Sequence, residues 1–229
     1  MTVSLEERLR QNLAAPRTDT RSVSPSIRAF AQAIDRQRAG LERVPLLAGA
    51  RPGLAALARA LEEAEVAALS IELDDPQVEL AAVSEVARAS AVPLLRADLL
   101  LEEFQIYQSR AAGFDAVLLV AALLPDPLLA RLCSAARSTH MAACVACTTA
   151  AEIARATQAR ADAIALPAAP AIAAELLAAL PRRALILALT SGAPEPKHLL
   201  GRADAALDRT LGADADPAAA FRAALAEED

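Results

Sequence analysis

Short apolar runs recur along this chain, and each is followed by a longer stretch in which apolar positions return every three or four residues. The runs predict strands over Val44–Leu47, Ala67–Leu73, Val92–Leu95, Ala116–Val120, Ala143–Cys147, Ala163–Leu166, Ala184–Leu189 and Ala205–Leu207. The stretches between them predict helices, among them Leu54–Glu65, Val78–Ala89, Pro127–Ser138, Ala150–Gln158 and Ala171–Leu180. Most of the runs are apolar throughout, as parallel strands covered on both faces must be. Strand and helix alternating eight times predict an α/β protein, a TIM (β/α)8 barrel, whose usual size is roughly 250 residues. The competing doubly wound sheet would carry a GxGxxG turn after a strand, and none is present. In the second strand a period of two sets Ser70, Glu72 and Asp74 against Leu69, Ile71 and Leu73. If the first set looks into the barrel, Glu72 needs a partner such as an arginine or ordered water.

Helical extensions flank these units. Ser4-Leu5-Glu6-Glu7 fits a capping box opening a helix to about Leu13. A polar loop follows, and Pro25 is placed to open a second helix through Ile27, Phe30 and Ile34. The expected organisation is one barrel domain over residues 1–229, with residues 1–42 as an N-terminal helical extension. Asp214–Asp229 reads as an alanine-rich helix ending in a solvated acidic tail.

Composition narrows the picture. With 229 residues the chain can bury one large core. It is 55% hydrophobic but only 2% aromatic, without Trp, so small and aliphatic side chains must fill that core. A net charge of −6 argues against a nucleic-acid surface, which requires a basic stripe. There is no uncharged apolar run of about 18 residues, and the charged start MTVSLEERLRQ is not a signal peptide. With three cysteines, this pattern leads to the expectation of a cytoplasmic protein that binds neither nucleic acid nor membrane. Oligomeric state is not fixed by any of these features.

Cys144-x-x-Cys147, with Cys133 and His140 upstream, has the spacing of a redox or zinc motif. Residues three apart on a strand point to opposite faces, so the reading is of buried core thiols, with no metal and no cofactor. His198 follows Pro194-Glu195-Pro196-Lys197 and reads as a loop residue. Thr148, Thr149, Thr190 and Ser191 lack an evident base that would make a nucleophile of them.

One stretch carries a family resemblance. Leu95-Arg96-Ala97-Asp98-Leu99, then Gln105-Ile106-Tyr107-Gln108-Ser109-Arg110, then Ala112-Gly113-Phe114-Asp115-Ala116-Val117-Leu118-Leu119 resemble the LRKDF, QIYEAR and AGADAVLL block of indole-3-glycerol phosphate synthases. These are barrel lyases of tryptophan biosynthesis that carry extra N-terminal helices. The resemblance implies a ring closure with loss of carbon dioxide and water. It also implies a lysine general acid, a glutamate general base, further Lys, Glu and Asn partners, and a phosphate cradle. Aligned on the strand ends, the family's glutamate and lysine after the first strand fall on Leu46 and Ala48. Its third-strand lysine falls on Ala97 and its fifth-strand glutamate on Ala146. The sixth-strand asparagines fall on Pro167 and Ala168, and the seventh-strand glutamate on Thr190. Of the cradle, Ser191 and Gly192 remain, while the glycine loop after the eighth strand reads Asp208-Arg209. A carboxylate there would repel phosphate, with Arg209 partly compensating.

General acid–base catalysis is worth typically ~10²–10⁴-fold for each positioned group, and none of the replacements can supply it. The expectation is therefore an inactive synthase-like barrel, a pseudoenzyme that binds a protein partner or a small phosphorylated ligand. The remaining polar candidates for a re-purposed site are Arg51, Asp98, Ser191, Gly192 and Arg209. The same residues on neighbouring loops, with Glu72, Asp74, Asp75, Glu102 and Glu103, also fit ordinary solvated strand ends. The alternative is a working synthase or related carbon–carbon lyase with displaced catalytic groups. A third reading is a subunit of a complex, docking through an apolar helix face such as Leu128–Leu132. Fold alone does not choose among these.

Overall fold

A computed structural model describes residues 23–36, 40–168, 171–190, 192 and 196–226, and the Ser4–Leu13 helix lies outside them. Eight parallel strands close into a barrel in sequence order: β1 Glu42–Ala48, β2 Leu69–Glu72, β3 Leu94–Arg96, β4 Ala116–Val120, β5 Ala142–Ala146, β6 Ala163–Ala168, β7 Ile186–Thr190 and β8 Ala205–Asp208. The helices are α1 Phe30–Ile34, α2 Leu54–Glu63, α3 Pro76–Ala89, α4 Glu103–Ala112, α5 Asp126–Ser138, α6 Ala150–Gln158, α7 Ala174–Ala179, α8 Pro196–Leu199, α9 Arg209–Ala213 and α10 Pro217–Ala226. The fold is the TIM barrel that the strand–helix rhythm predicts.

The period of two along each strand sorts the core into two shells. Leu47, Leu69, Ile71, Leu94, Val117, Leu119, Val145 and Leu166 face outward and pack under the helices. Val44, Leu46, Ala68, Leu95, Ala116, Leu118, Cys144, Ala165, Leu187 and Leu207 fill the interior. These strand side chains are alanine, valine, leucine and cysteine, with no aromatic among them, in keeping with the composition.

α1 plugs the N-terminal end of this interior. Phe30 and Ile34 are buried and belong to the interior cluster. The helix is shorter than predicted, because Pro25 to Ala29 is not helical. Ser26 and Arg28 are held by the barrel instead, and Ile27 is left 96% exposed. Their anchor is Asp115, at the start of β4. It accepts from Ser26 Oγ at 2.6 Å, Leu94 N at 3.0 Å and Arg110 Nη1 at 2.8 Å, and pairs with Arg28 Nε at 2.8 Å.

The block that carries the family resemblance is the part that builds this scaffold. The Gln105 side-chain oxygen accepts from the amides of Leu101 and Glu102, closing the first turn of α4. Ser109 and Arg110 reach Arg96 and Asp115 respectively. Gly113 ends the helix with φ +107°, and a Cβ there would lie 2.3 Å from Cβ of Ala87. Only glycine satisfies both conditions.

Candidate active site at the barrel mouth

In this fold chemistry is done at the C-terminal ends of the strands. The register aligns Ala48 with Glu72 across β1 and β2, and Pro167 with Leu189 across β6 and β7. Ala97, Ala146 and Leu189 are partly buried and pack on the interior cluster, which places them in the same ring. Lower in the interior, Leu46 is 8% and Leu118 9% exposed, whereas Leu95, Ala116, Cys144 and Leu187 are fully buried. Leu46 and Leu118 thus keep only slight exposure, and the inward side chains directly below the ring are apolar apart from the buried Ser70.

Leu46, Ala48, Ala97, Ala146 and Pro167, the positions aligned with the family's proton-transfer groups, all have the inward parity of their strands. Thr190, aligned with the seventh-strand glutamate, is half-buried, and its hydroxyl donates to the carbonyl of Leu207 at 2.7 Å. Ala168 belongs to the outer shell. The chain contains one lysine, Lys197, exposed on α8.

Glu72 and Arg209 form the polar feature of this ring. Glu72 ends β2 with the interior parity of Ser70, as the alternation predicts, and its Oε2 lies 2.7 Å from Nη1 of Arg209. The side chains are 21% and 55% exposed. The pair bridges β2 and the end of β8, strands that both flank β1, and so spans above Ala48.

The other predicted polar residues are placed elsewhere. Asp98 is buried outside the barrel wall, where Oδ1 and Oδ2 each take a 2.8 Å bond from the fully buried Arg96. Arg96 in turn donates to Ser109 Oγ at 3.0 Å, so the pair ties β3 to α4. Arg51 donates to the carbonyls of Gly212 at 2.7 Å and Asp214 at 2.6 Å, closing the C-terminal end of α9. Gly192 is half-buried with open space where a Cβ would stand. Ser191 lies outside the described residues.

Asp208 is not exposed to the mouth, contrary to the expectation that its carboxylate would face an incoming phosphate. β8 turns directly into α9, and Asp208 becomes the buried cap of that helix. Oδ1 accepts from the amides of Thr210 at 2.9 Å and Leu211 at 3.0 Å, and from the Thr210 hydroxyl. Oδ2 takes Arg43 Nη2 at 2.6 Å. In this fold a short helix after the eighth strand frequently offers its first amides to a phosphate. Here those amides already hold a carboxylate. This network, joining residues 165 apart in sequence, is not legible from any local pattern.

Glu79, on α3, also escaped the sequence reading. It is buried, accepts from the amides of Asp74 and Asp75, and has its pKa raised by desolvation. A Cβ at Gly49 would fall 2.3 Å from its Oε2, so a glycine is required opposite it. Of the thiols, Cys144 points into the interior and Cys147 into the outer shell, on opposite faces as the strand geometry demands. Burial pushes the Cys133 thiol to about 11 and that of Cys147 to about 12, and raises Cys144 further. Among the described residues no cluster of His, Cys, Asp or Glu could hold a metal ion. Nor is any helix among them long and apolar enough to cross a membrane.

The family described as indole-3-glycerol phosphate synthase matches residues 46–166, more than half of the chain. The chain belongs to that family. Curated synthases bear this out. The chain is 52% identical to the Albidiferax ferrireducens enzyme over 73 residues, 31% of this chain and 28% of that protein. It is 34% identical to the Chlorobium phaeovibrioides enzyme over 131 residues, 52% of this chain and 51% of that one. The matched stretches thus span between about a quarter and a half of these synthases' length. The fold extends further. A solved structure of native KDPGal aligns with a TM-score of 0.61 at 21% identity, covering 82% of this chain and 93% of that one. The orotidine 5'-phosphate decarboxylase of Pyrococcus horikoshii aligns at 0.60 and 14% identity, covering 79% and 96%. These likenesses concern the barrel alone.

Proposed function

We propose that this synthase-family barrel is non-catalytic and acts by binding. The observation that carries the reading is the inward ring of Leu46, Ala48, Ala97, Ala146 and Pro167, which aligns with the family's acid and base positions and holds no titratable side chain. A reaction that moves protons on and off carbon needs such groups within hydrogen-bond reach. The family's lysine chemistry has no substitute here, since Lys197 is the single lysine and is exposed on α8. Phosphate recognition is weakened independently, because Asp208 holds the amides that begin α9.

The alternative, a lyase with displaced groups, would draw on the charged loops after β2 and β3, and among the described inward residues of the ring on Glu72. Its carboxylate is engaged by the Arg209 guanidinium at 2.7 Å, and it would have to leave that ion pair to act on a substrate. The subunit reading draws less support from Leu128–Leu132, because Leu129 and Leu132, on the inner face of α5, are buried against the barrel. Three free, buried cysteines support a reducing compartment such as the cytoplasm.

Thermal melting with the family's product, a substrate analogue and inorganic phosphate tests this reading. A ligand that binds only the native state must raise the melting temperature. The expected outcome is no shift at millimolar ligand. A clear stabilisation by the phosphorylated compounds beyond that by phosphate would revive the enzyme reading.

A further inference from the structure

Among the described inward-facing residues of the mouth, Glu72 and Arg209 form a pair of opposite charges set among apolar side chains, and that combination selects a ligand class. Nη1 of Arg209 and Oε2 of Glu72 are 2.7 Å apart, and both side chains remain open to solvent. Beneath and around them lie Ala48, Ala97, Ala146, Leu189, Leu46 and Leu118. An anion alone would gain Arg209 but would meet the Glu72 carboxylate beside it. A cation alone would meet the guanidinium. A phosphate monoester fares worst, because Asp208 holds the helix amides as well.

We infer that the mouth takes a free α-amino acid with an apolar side chain. The carboxylate of such a ligand sits on the Arg209 fork, in the geometry guanidinium groups prefer. Its ammonium, two bonds away, faces Glu72. The two charges of the ligand thereby replace the two halves of the existing ion pair, so neither protein group is stranded. The side chain packs past Ala97 and Ala146 towards Leu46 and Leu118, interior residues that keep slight exposure. The small residues that removed catalysis are the ones that make this room. Burying an apolar side chain there supplies the hydrophobic part of the affinity. The inference rests on the non-catalytic reading, since a working synthase would need the same space for its own substrate.

Calorimetric titration of the full-length protein tests it, with L-phenylalanine, L-leucine, 3-phenylpropanoate, 2-phenylethylamine and inorganic phosphate as probes. At least one of the two amino acids should bind, and phenylalanine should bind at least about tenfold more tightly than either of its one-charge analogues. Glu72→Gln should erase the advantage over 3-phenylpropanoate, and Arg209→Gln the advantage over 2-phenylethylamine. Absence of heat and of any melting shift with both amino acids at millimolar concentration would overturn the inference. So would equal affinity for the amino acid and its one-charge analogues. Formation of indole glycerol phosphate, measured separately on the same preparation, is what would overturn the non-catalytic reading. A protein that neither turns over nor binds amino acids refutes the ligand class alone.

Discussion

Asp115 gathers donors from three places in the chain: Ser26 and Arg28 ahead of the barrel, Leu94 at the start of β3, and Arg110 on α4. Its side chain is fully buried, whereas the two arginines are 15% and 14% exposed. Removing the carboxylate leaves two partly buried cations without their anion. Asp115→Ala should therefore cost about 3–5 kcal/mol in denaturant unfolding, with the melting point falling by about 2–4 °C for each of them. A loss below about 1 kcal/mol would mean that the network is slack. The thiols make a second residue-scale prediction. The folded pKa of Cys133 is raised from 9.0 to about 11, so between those values the unfolded chain gives up the proton first. Stability that is fully present below about pH 9 is then lost as pH rises towards 11, and Cys133→Ala should flatten that fall. A pH profile identical to that of the parent protein would contradict it. At this scale the sequence disclosed directions more readily than partners. The period of two along β2 grouped Glu72 with Ser70 and implied that, facing inward, it would need an arginine or ordered water, but nothing local pointed to Arg209, 137 residues away. Asp208 was misplaced for a related reason. Its role depends on β8 passing into a helix without a loop, and on Arg43 arriving from β1.

At the scale of elements, two glycines fix how helices meet the barrel. Gly212 on α9 lies against β1 so closely that a Cβ would stand 1.7 Å from the Leu46 carbonyl oxygen. No rotamer change relieves a clash with backbone, so Gly212→Ala should cost at least the ~1–3 kcal/mol typical of overpacking. A neutral substitution there would show that α9 can move off β1. Apolar rhythm was sufficient to locate the strands and most helices; Ala116–Val120 and Ala150–Gln158 are found with the bounds it predicts. It failed at α1, where a proline and well-spaced apolar residues suggested a helix from residue 25. The helix begins at Phe30 because Ser26 and Arg28 hydrogen-bond to the barrel floor, a tertiary demand that local propensity does not register. The apolar stretch Leu128–Leu132 likewise proved to be barrel packing, since any amphipathic helix must bury such a face.

Across the whole molecule, the polar residues shared with the synthase family and the positions that depart from it are spatially separate. Arg96, Gln105, Ser109, Arg110 and Asp115 of the resembling block hold β3, α4 and the N-terminal segment together outside the barrel interior. The departures line the mouth. That separation is compatible with a barrel in which the positions aligned with the family's acid and base groups hold alanine, leucine and proline. It also makes the mouth tolerant. Ala48 is exposed, so Ala48→Lys should change stability by no more than about 0.5 kcal/mol. By contrast Asp98→Ala, which removes the carboxylate partner of the buried Arg96, should cost about 3–5 kcal/mol. Equal costs for the two would contradict the division between scaffold and mouth.

The most direct measurement of the central claim is turnover. The purified full-length protein, incubated with the family's substrate at high enzyme concentration, should form no indole glycerol phosphate above the uncatalysed background. Turnover that survives purification and disappears in Glu72→Gln would show that the mouth still catalyses, with a displaced carboxylate in place of the lost groups.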